Sequence, residues 1–153
     1  MDEKKNEELE SKQYIIVKLG SEQYGIDIQY VDNIVRMQRV TRVPKAQPYF
    51  KGVINIRGEV IPVMSLRIKF GLEPDEFKNA TRILIIKIEP QAAIGMIVDE
   101  VKEVITLSAD DIDKATSGND EKSLYLSGVG KQPNGLVSLL NIPAVVVDRD
   151  SAT

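Results

Sequence analysis

Along this chain, apolar residues recur mostly every second position, in short runs separated by Gly, Pro and charged residues. That spacing predicts strands rather than helices. "YIIVKLG" (14–20) and "SEQYGIDI" (21–28) flank a polar turn and predict a β-hairpin. In "IDIQYVDNIV" the spacing changes: Ile28, Val31, Ile34 and Val35 recur at three and four residues, with Asp27 able to cap, which predicts a short helix. "RVPKAQPYF" (42–50), with Pro44 and Pro48, predicts a connector. "GVINIRG" and "EVIPVMSL" predict a second hairpin turning near Arg57 and Gly58, with Pro62 at an edge or bulge because it has no amide proton to donate. After the polar stretch "EPDEFKN" (73–79), three strand-like runs follow: "TRILIIKIE", "IGMIVDEV" and "KEVITLS". "ADDIDKATSGNDEKS" (109–123) predicts a mobile acidic loop with a helical turn at its start, "LYLSGVG" and "LVSLLNI" a last hairpin, and "PAVVVD" a final apolar segment. Residues 1–12 are charged, without an apolar run, and predict a disordered tail.

The two halves resemble each other. "YGIDIQYVDNI" (24–34) and "IGMIVDEVKEV" (94–104) align without a gap, so that Gly25, Val31 and Ile34 stand 70 positions before Gly95, Val101 and Val104. Each half also holds a Gly-Val hairpin, from Gly52 and from Gly128. The expectation is a mostly β chain built as two similar, intertwined small barrels over residues 13–150, divided near 73–80. Neither half alone buries much surface, so they should pack on each other.

Composition removes much chemistry. The chain of 153 residues is 42% hydrophobic but only 5% aromatic and has no Trp, so Val, Ile and Leu fill its core. With no Cys and no His, it lacks disulfides, thiolate nucleophiles, Cys/His zinc sites, imidazole bases and Ser-His-Asp triads. A net charge of -3 gives no broad cationic field for a phosphate backbone. "RMQRVTRVPK" (36–45), carrying Arg36, Arg39, Arg42 and Lys45, is the one run that keeps a nucleic-acid-binding small barrel as the alternative reading. The opening residues form neither a signal peptide nor a membrane span, so a cytoplasmic location without membrane insertion is expected.

Candidate motifs thin out on inspection. "GVGKQPNG" lacks the Walker spacing, having Tyr125 where a Gly is required and Gln132 in place of Ser/Thr. "ADDIDKATSGND" fails the EF-hand order because Ala115 stands at the third ligand position. No cofactor or metal is expected. What remains is apolar: Val31 and Ile34 with their repeat mates Val101 and Val104 suit a groove between barrels that receives a partner's helix. Arg57, set in an apolar hairpin, suits the rim of that groove, where a guanidinium bonds several oxygens at once.

"FKGVINIRGEVIPVMSLRIKFG" resembles the central signature of the CheW family of chemotaxis coupling proteins: Gly52, Val53, Asn55, Ile56, Arg57, Gly58, Val60/Ile61, Pro62, Val63. "LGSEQYGIDIQYVDNI", "IGMIVDEVKEVITL" and "YLSGVG…GLVSLLNI" extend the likeness over residues 13–148. The resemblance implies two SH3-like five-stranded β-barrels with a few short helices around a shared apolar seam, no catalysis and no cofactor. It implies a monomeric adaptor between chemoreceptor (methyl-accepting chemotaxis protein) cytoplasmic tips and the regulatory domain of the histidine kinase CheA, recruited to membrane arrays through these partners. The receptor groove it implies corresponds to Val31, Asn33, Gly52, Ile56, Arg57, Ile97, Val98, Val101 and Val104; kinase contacts are assigned to no single residue. Two departures stand out. Asn33 replaces a Glu common in the family, and the loop Asp113–Ser123 lacks the basic and aromatic residues some members use in a second CheA contact.

Overall fold

Period-2 alternation works here with both faces of the strands buried. The computed structural model describes residues 11–90, 92–114, 124–133 and 135–146. In β1 (Lys12–Leu19), Ile15, Val17 and Leu19 point into one apolar cluster while Tyr14 and Ile16 point into another. In β6 (Arg82–Glu89), Leu84 and Ile86 join the first of these clusters while Ile83 and Ile85 join a third. There is thus one small core on the outer side of each sheet and one core shared between the sheets.

β1 and β2 (Glu22–Asp27) form the first hairpin, followed by a 3-10 turn (Ile28–Tyr30) and β3 (Val31–Arg36). β4 (Phe50–Ile56) and β5 (Glu59–Ser65) form the second hairpin and lead into helix α1 (Leu66–Lys69). Then come β6, β7 (Ala92–Val98), β8 (Glu100–Leu107), β9 (Ile112–Lys114), β10 (Leu126–Gln132), β11 (Gly135–Leu140) and helix α2 (Ile142–Val146). They make a six-stranded sheet, β8-β1-β2-β11-β10-β9, and a five-stranded sheet, β3-β6-β7-β5-β4. The mostly β expectation is met, though five strands were expected in both units. Neither sheet closes on itself in the pairing among the described residues.

The internal repeat becomes geometry. Replacing β3, β6, β7, β5 and β4 by β8, β1, β2, β11 and β10 converts one strand order into the other. Gly25 lies between antiparallel Ile16 and parallel Leu139, and Gly95 between antiparallel Ile85 and parallel Val63. At both glycines a Cβ would approach a neighbouring side chain to 2.8 Å, which explains why both repeats keep Gly there. The Tyr49 carbonyl accepts from the Ser65 amide and the Tyr125 carbonyl from the Asn141 amide, each at 2.7 Å. Ser65 and Asn141 accept in turn from Ile68 N and Ala144 N, capping α1 and α2. The sixth strand, β9, pairs Asp113 with Val129 where the first repeat has only the single bridge Thr41 to Val53.

The repeats are interleaved rather than stacked in tandem. β1 and β2 of the first repeat complete the sheet of β8 to β11, and β6 and β7 of the second complete the sheet of β3 to β5. The 73–80 connector therefore separates the sequence repeats but not the sheets. Four local readings change or sharpen. The helical spacing at 28–35 resolves into one 3-10 turn, with Asp27 Oδ1 accepting from Gln29 N at 2.9 Å, and then a strand. Pro62 sits in an interior strand, one residue ahead of the parallel pairing with β7, so the edge alternative fails, while a register shift opposite Val63 and Met64 puts an irregularity one residue away. The final apolar segment opens as helix α2, and "SLRIK" holds a helix where a strand end was read. The proposed mobile loop lies, for residues 115–123, outside the described residues, as do residues 1–10 of the proposed tail; Lys12 already opens β1.

One ion pair fastens a crossover. The chain passes from the five-stranded to the six-stranded sheet between β7 and β8, at Asp99. Arg67 of α1 grips that carboxylate with Nε at 2.8 Å and Nη2 at 2.5 Å, the Gly20 amide donates at 2.7 Å, and Asp99 N donates to the Lys18 carbonyl at 3.0 Å. The Arg67 hydrogen bond, followed by the Gly20 amide, outweighs desolvation and holds the Asp99 carboxyl below its usual range. A depressed carboxylate stabilises the fold above its unfolded value, near pH 4, and that contribution is lost as pH falls through the lower folded value. Asp99→Asn should therefore cost about 1–3 kcal/mol at neutral pH. In urea titrations, the difference between wild type and variant should shrink steadily below about pH 4.

Candidate functional site

β3 and β8 are repeat equivalents, and each is an outer strand of its sheet. The first follows the crossover out of the six-stranded sheet and the second the crossover back. Val31 and Val101 pack from these edges onto the shared core while remaining partly accessible. Farther along the same edges, Ile34 is 38% and Val104 50% exposed. These four side chains form apolar margins where the shared core reaches the surface. Asp32, Arg36, Lys102 and Glu103 stand among them exposed, and such charges discourage indiscriminate strand pairing at open edges.

The other candidates divide by burial. Ile97 and Val98 are completely buried, the first in the core of the five-stranded sheet and the second in the shared core. They support the margins from beneath and offer a partner no surface. Gly52 is also buried, at φ 143°, and a Cβ there would meet the Thr41 carbonyl oxygen at 2.1 Å. Its role is to admit the 37–49 connector. Ile56 is half-buried against the core of its own sheet.

Arg57 is exposed and forms no ion pair among the described residues. Asn33 is not its partner: Asn33 Oδ1 accepts from the next backbone amide, Ile34 N, at 2.8 Å. Arg57 (φ 52°) and Gly58 (φ 84°) are the two central residues between the paired Ile56 and Glu59. With both φ positive, this turn favours Asn-Gly, and a left-handed arginine costs roughly 1 kcal/mol. Asn55 Oδ1, accepting from Gly58 N at 3.0 Å, offsets part of that cost. A long cation is thus held at the hairpin tip against backbone preference, with its charge free.

Sequence reading missed two apolar residues. Val60 is 62% and Leu136 71% exposed, and they occupy equivalent places on the two Gly-Val hairpins, 76 positions apart. The signal was present, since both follow a turn glycine by one or two residues and point away from their strand's buried set. Among the described residues, the acidic side chains form no comparable site. Asp111 accepts from Ser108 N and Oγ, closing a local cap, and Asp113 pairs with Lys131 at 3.3 Å. A cavity of about 460 Å³ contains Glu73, Glu76, Asp99 and Glu100. There Arg67 lowers the pKa of Asp99, the opposite of what a general acid requires. Among the described residues, no group of three or more His, Cys, Asp or Glu is placed to hold a metal ion, and no helix is long and apolar enough to cross a membrane.

The model of the CheW-like domain matches residues 13–150. The chain belongs to the CheW family. The chemotaxis protein CheW of Helicobacter pylori is 34% identical over 143 residues, covering 94% of this chain and 86% of that protein. CheW of Bacillus subtilis is 35% identical over 139 residues, covering 90% and 88%. The crystal structure of the scaffolding protein TtCheW from Thermoanaerobacter tengcongensis superposes with a TM-score of 0.79 at 29% identity, covering 85% of this chain and 88% of that one. The CheW-like match thus includes both edge strands, both crossovers and both Gly-Val hairpins.

Two substitutions separate turn, packing and surface roles. Arg57→Asn should leave the fold intact or stabilise it by up to about 1 kcal/mol, read as a raised urea midpoint, because Asn suits the left-handed position. Gly52→Ala should cost more than about 2 kcal/mol, since both the backbone angle and the Thr41 carbonyl oppose a Cβ. A Gly52→Ala protein with an unchanged thermal midpoint would show that the connector is not packed as described.

Proposed function

We propose that the chain is a non-catalytic chemotaxis adaptor that couples chemoreceptor cytoplasmic tips to the histidine kinase CheA in the cytoplasm. The observation that carries this reading is the pair of repeat-related edge strands, whose Val31, Ile34, Val101 and Val104 give an apolar margin to the shared core. A helical receptor tip would lay side chains spaced by three and four residues along that margin. Arg57, which forms no ion pair among the described residues, would set its register by bonding receptor oxygens. Ile56 would contribute from the hairpin, while Gly52, Ile97 and Val98 would act only by shaping the support. The names of the relatives, chemotaxis protein and scaffolding protein, favour this assignment over an enzyme.

Without bond chemistry of its own, such an adaptor controls a kinase only through different affinities for its partners' states. The exposed Val60 and Leu136 are then available for contact with a kinase domain of the same double-barrel design. The test is a pull-down with CheA and a receptor cytoplasmic fragment, singly and together. Val104→Asp should reduce receptor-fragment capture by about tenfold or more, as expected for a charge placed in an apolar contact, while CheA capture and the thermal midpoint hold. Undiminished receptor capture would contradict the groove assignment.

A further inference from the structure

Charge is distributed unevenly along this acidic chain. Between Asp32 and Glu59 there is no acidic residue, yet Arg36, Arg39, Arg42, Lys45, Lys51 and Arg57 all fall there. All are exposed except the half-buried Lys51. The ion pairs among the described residues use other cations: Lys12, Arg67, Lys78, Lys87 and Lys131. Arg36 even stands directly across the ladder from Arg82, an arrangement that like charges disfavour. The equivalent connector of the second repeat, after β8, begins instead with Asp110, Asp111 and Asp113.

Two hollows adjoin the Thr41 to Val53 bridge. One, of about 420 Å³, has Arg42, Lys45 and Lys51 around Val43, Pro44 and Phe50. The other, of about 400 Å³, includes Arg39, Asn55, Val53 and Val60. The first sets three cations and the second Arg39 beside apolar side chains, and neither includes an acid. We propose that this connector and the β4 edge form a docking surface for an acidic, extended polypeptide segment of a partner protein, its carboxylates on the cations and its alternate apolar side chains in the hollows. Charge complementarity selects the carboxylates, and the apolar side chains beside the cations favour a polypeptide over a nucleic acid. Stacking of bases needs exposed aromatic faces, whereas Tyr49 is buried against Phe50 and lies under Lys69 Nζ at 3.9 Å. The -3 charge of the whole chain also repels a long polyanion that extends beyond the patch.

The surface touches the β3 margin at Arg36 and the hairpin at Arg57 and Val60, but its centre at Arg39, Arg42 and Lys45 lies in the connector beyond β3, and it is tested without receptor or kinase. The probe is a fluorescently labelled peptide of alternating Glu and Leu, titrated by anisotropy at low and physiological salt. Binding that weakens with salt is expected, and R39E/R42E should weaken it by about tenfold or more. K102E/K114E, which changes net charge equally at other sites, should leave it within about twofold. Amide shifts in NMR spectra should concentrate within residues 36–60. Equal losses in both double variants, shifts spread over the molecule, or tighter binding of a mixed-sequence single-stranded DNA of the same charge would overturn the proposal.

Discussion

Neither sheet can cover its apolar faces with strands from its own repeat. Among the described residues, the shared core holds fifteen buried side chains, eight from before the 73–80 connector and seven from after it. Both sheets are finished by a hairpin borrowed across that boundary. The hydrophobic effect thus acts between repeats as much as within them, because each exchanged hairpin places one face on its adopted sheet's small core and the other on the shared core. Gly25 and Gly95 mark where the exchange is tightest, and the Arg67 to Asp99 pair ties one of the two crossovers to the β1–β2 turn.

Exchange also determines what reaches the surface. A strand that has just changed sheets arrives at the outside of its new one, so β3 and β8 become edges with half-covered valines. The apolar margin is therefore a consequence of the topology, with its charged neighbours limiting what can add to it. The same duplication leaves Val60 and Leu136 on matching hairpins, while the two connectors diverge into a cationic and an acidic version. Duplicated architecture with unlike surfaces suits a protein that meets unlike partners.

Much of this was readable from residues because strand alternation, turn glycines and a repeat at a fixed offset are local signals. Both hairpins of the first repeat, the polar separator and the repeat of Gly25 with Gly95 are of that kind. What could not be read was long-range. Sheet exchange moves β6 and β7 to the other partner without altering any local pattern, and buried Ile97 and Val98 look identical in sequence to surface-lining Val101 and Val104. Tertiary pairing also overrode the helical spacing at Val31, Ile34 and Val35, since an edge beside β6 was available to them. Arg57 stood out in sequence as a cation in an apolar hairpin, but its left-handed backbone and the local engagement of Asn33 depend on the folded hairpin and strand.

Splitting the chain within 73–80 and studying the two fragments tests the interleaved core most directly. The account predicts that each fragment alone lacks a cooperative thermal transition and a folded β circular-dichroism spectrum, and that mixing them restores both in a one-to-one complex. A fragment that folds cooperatively by itself, with no gain on adding the other, would contradict it.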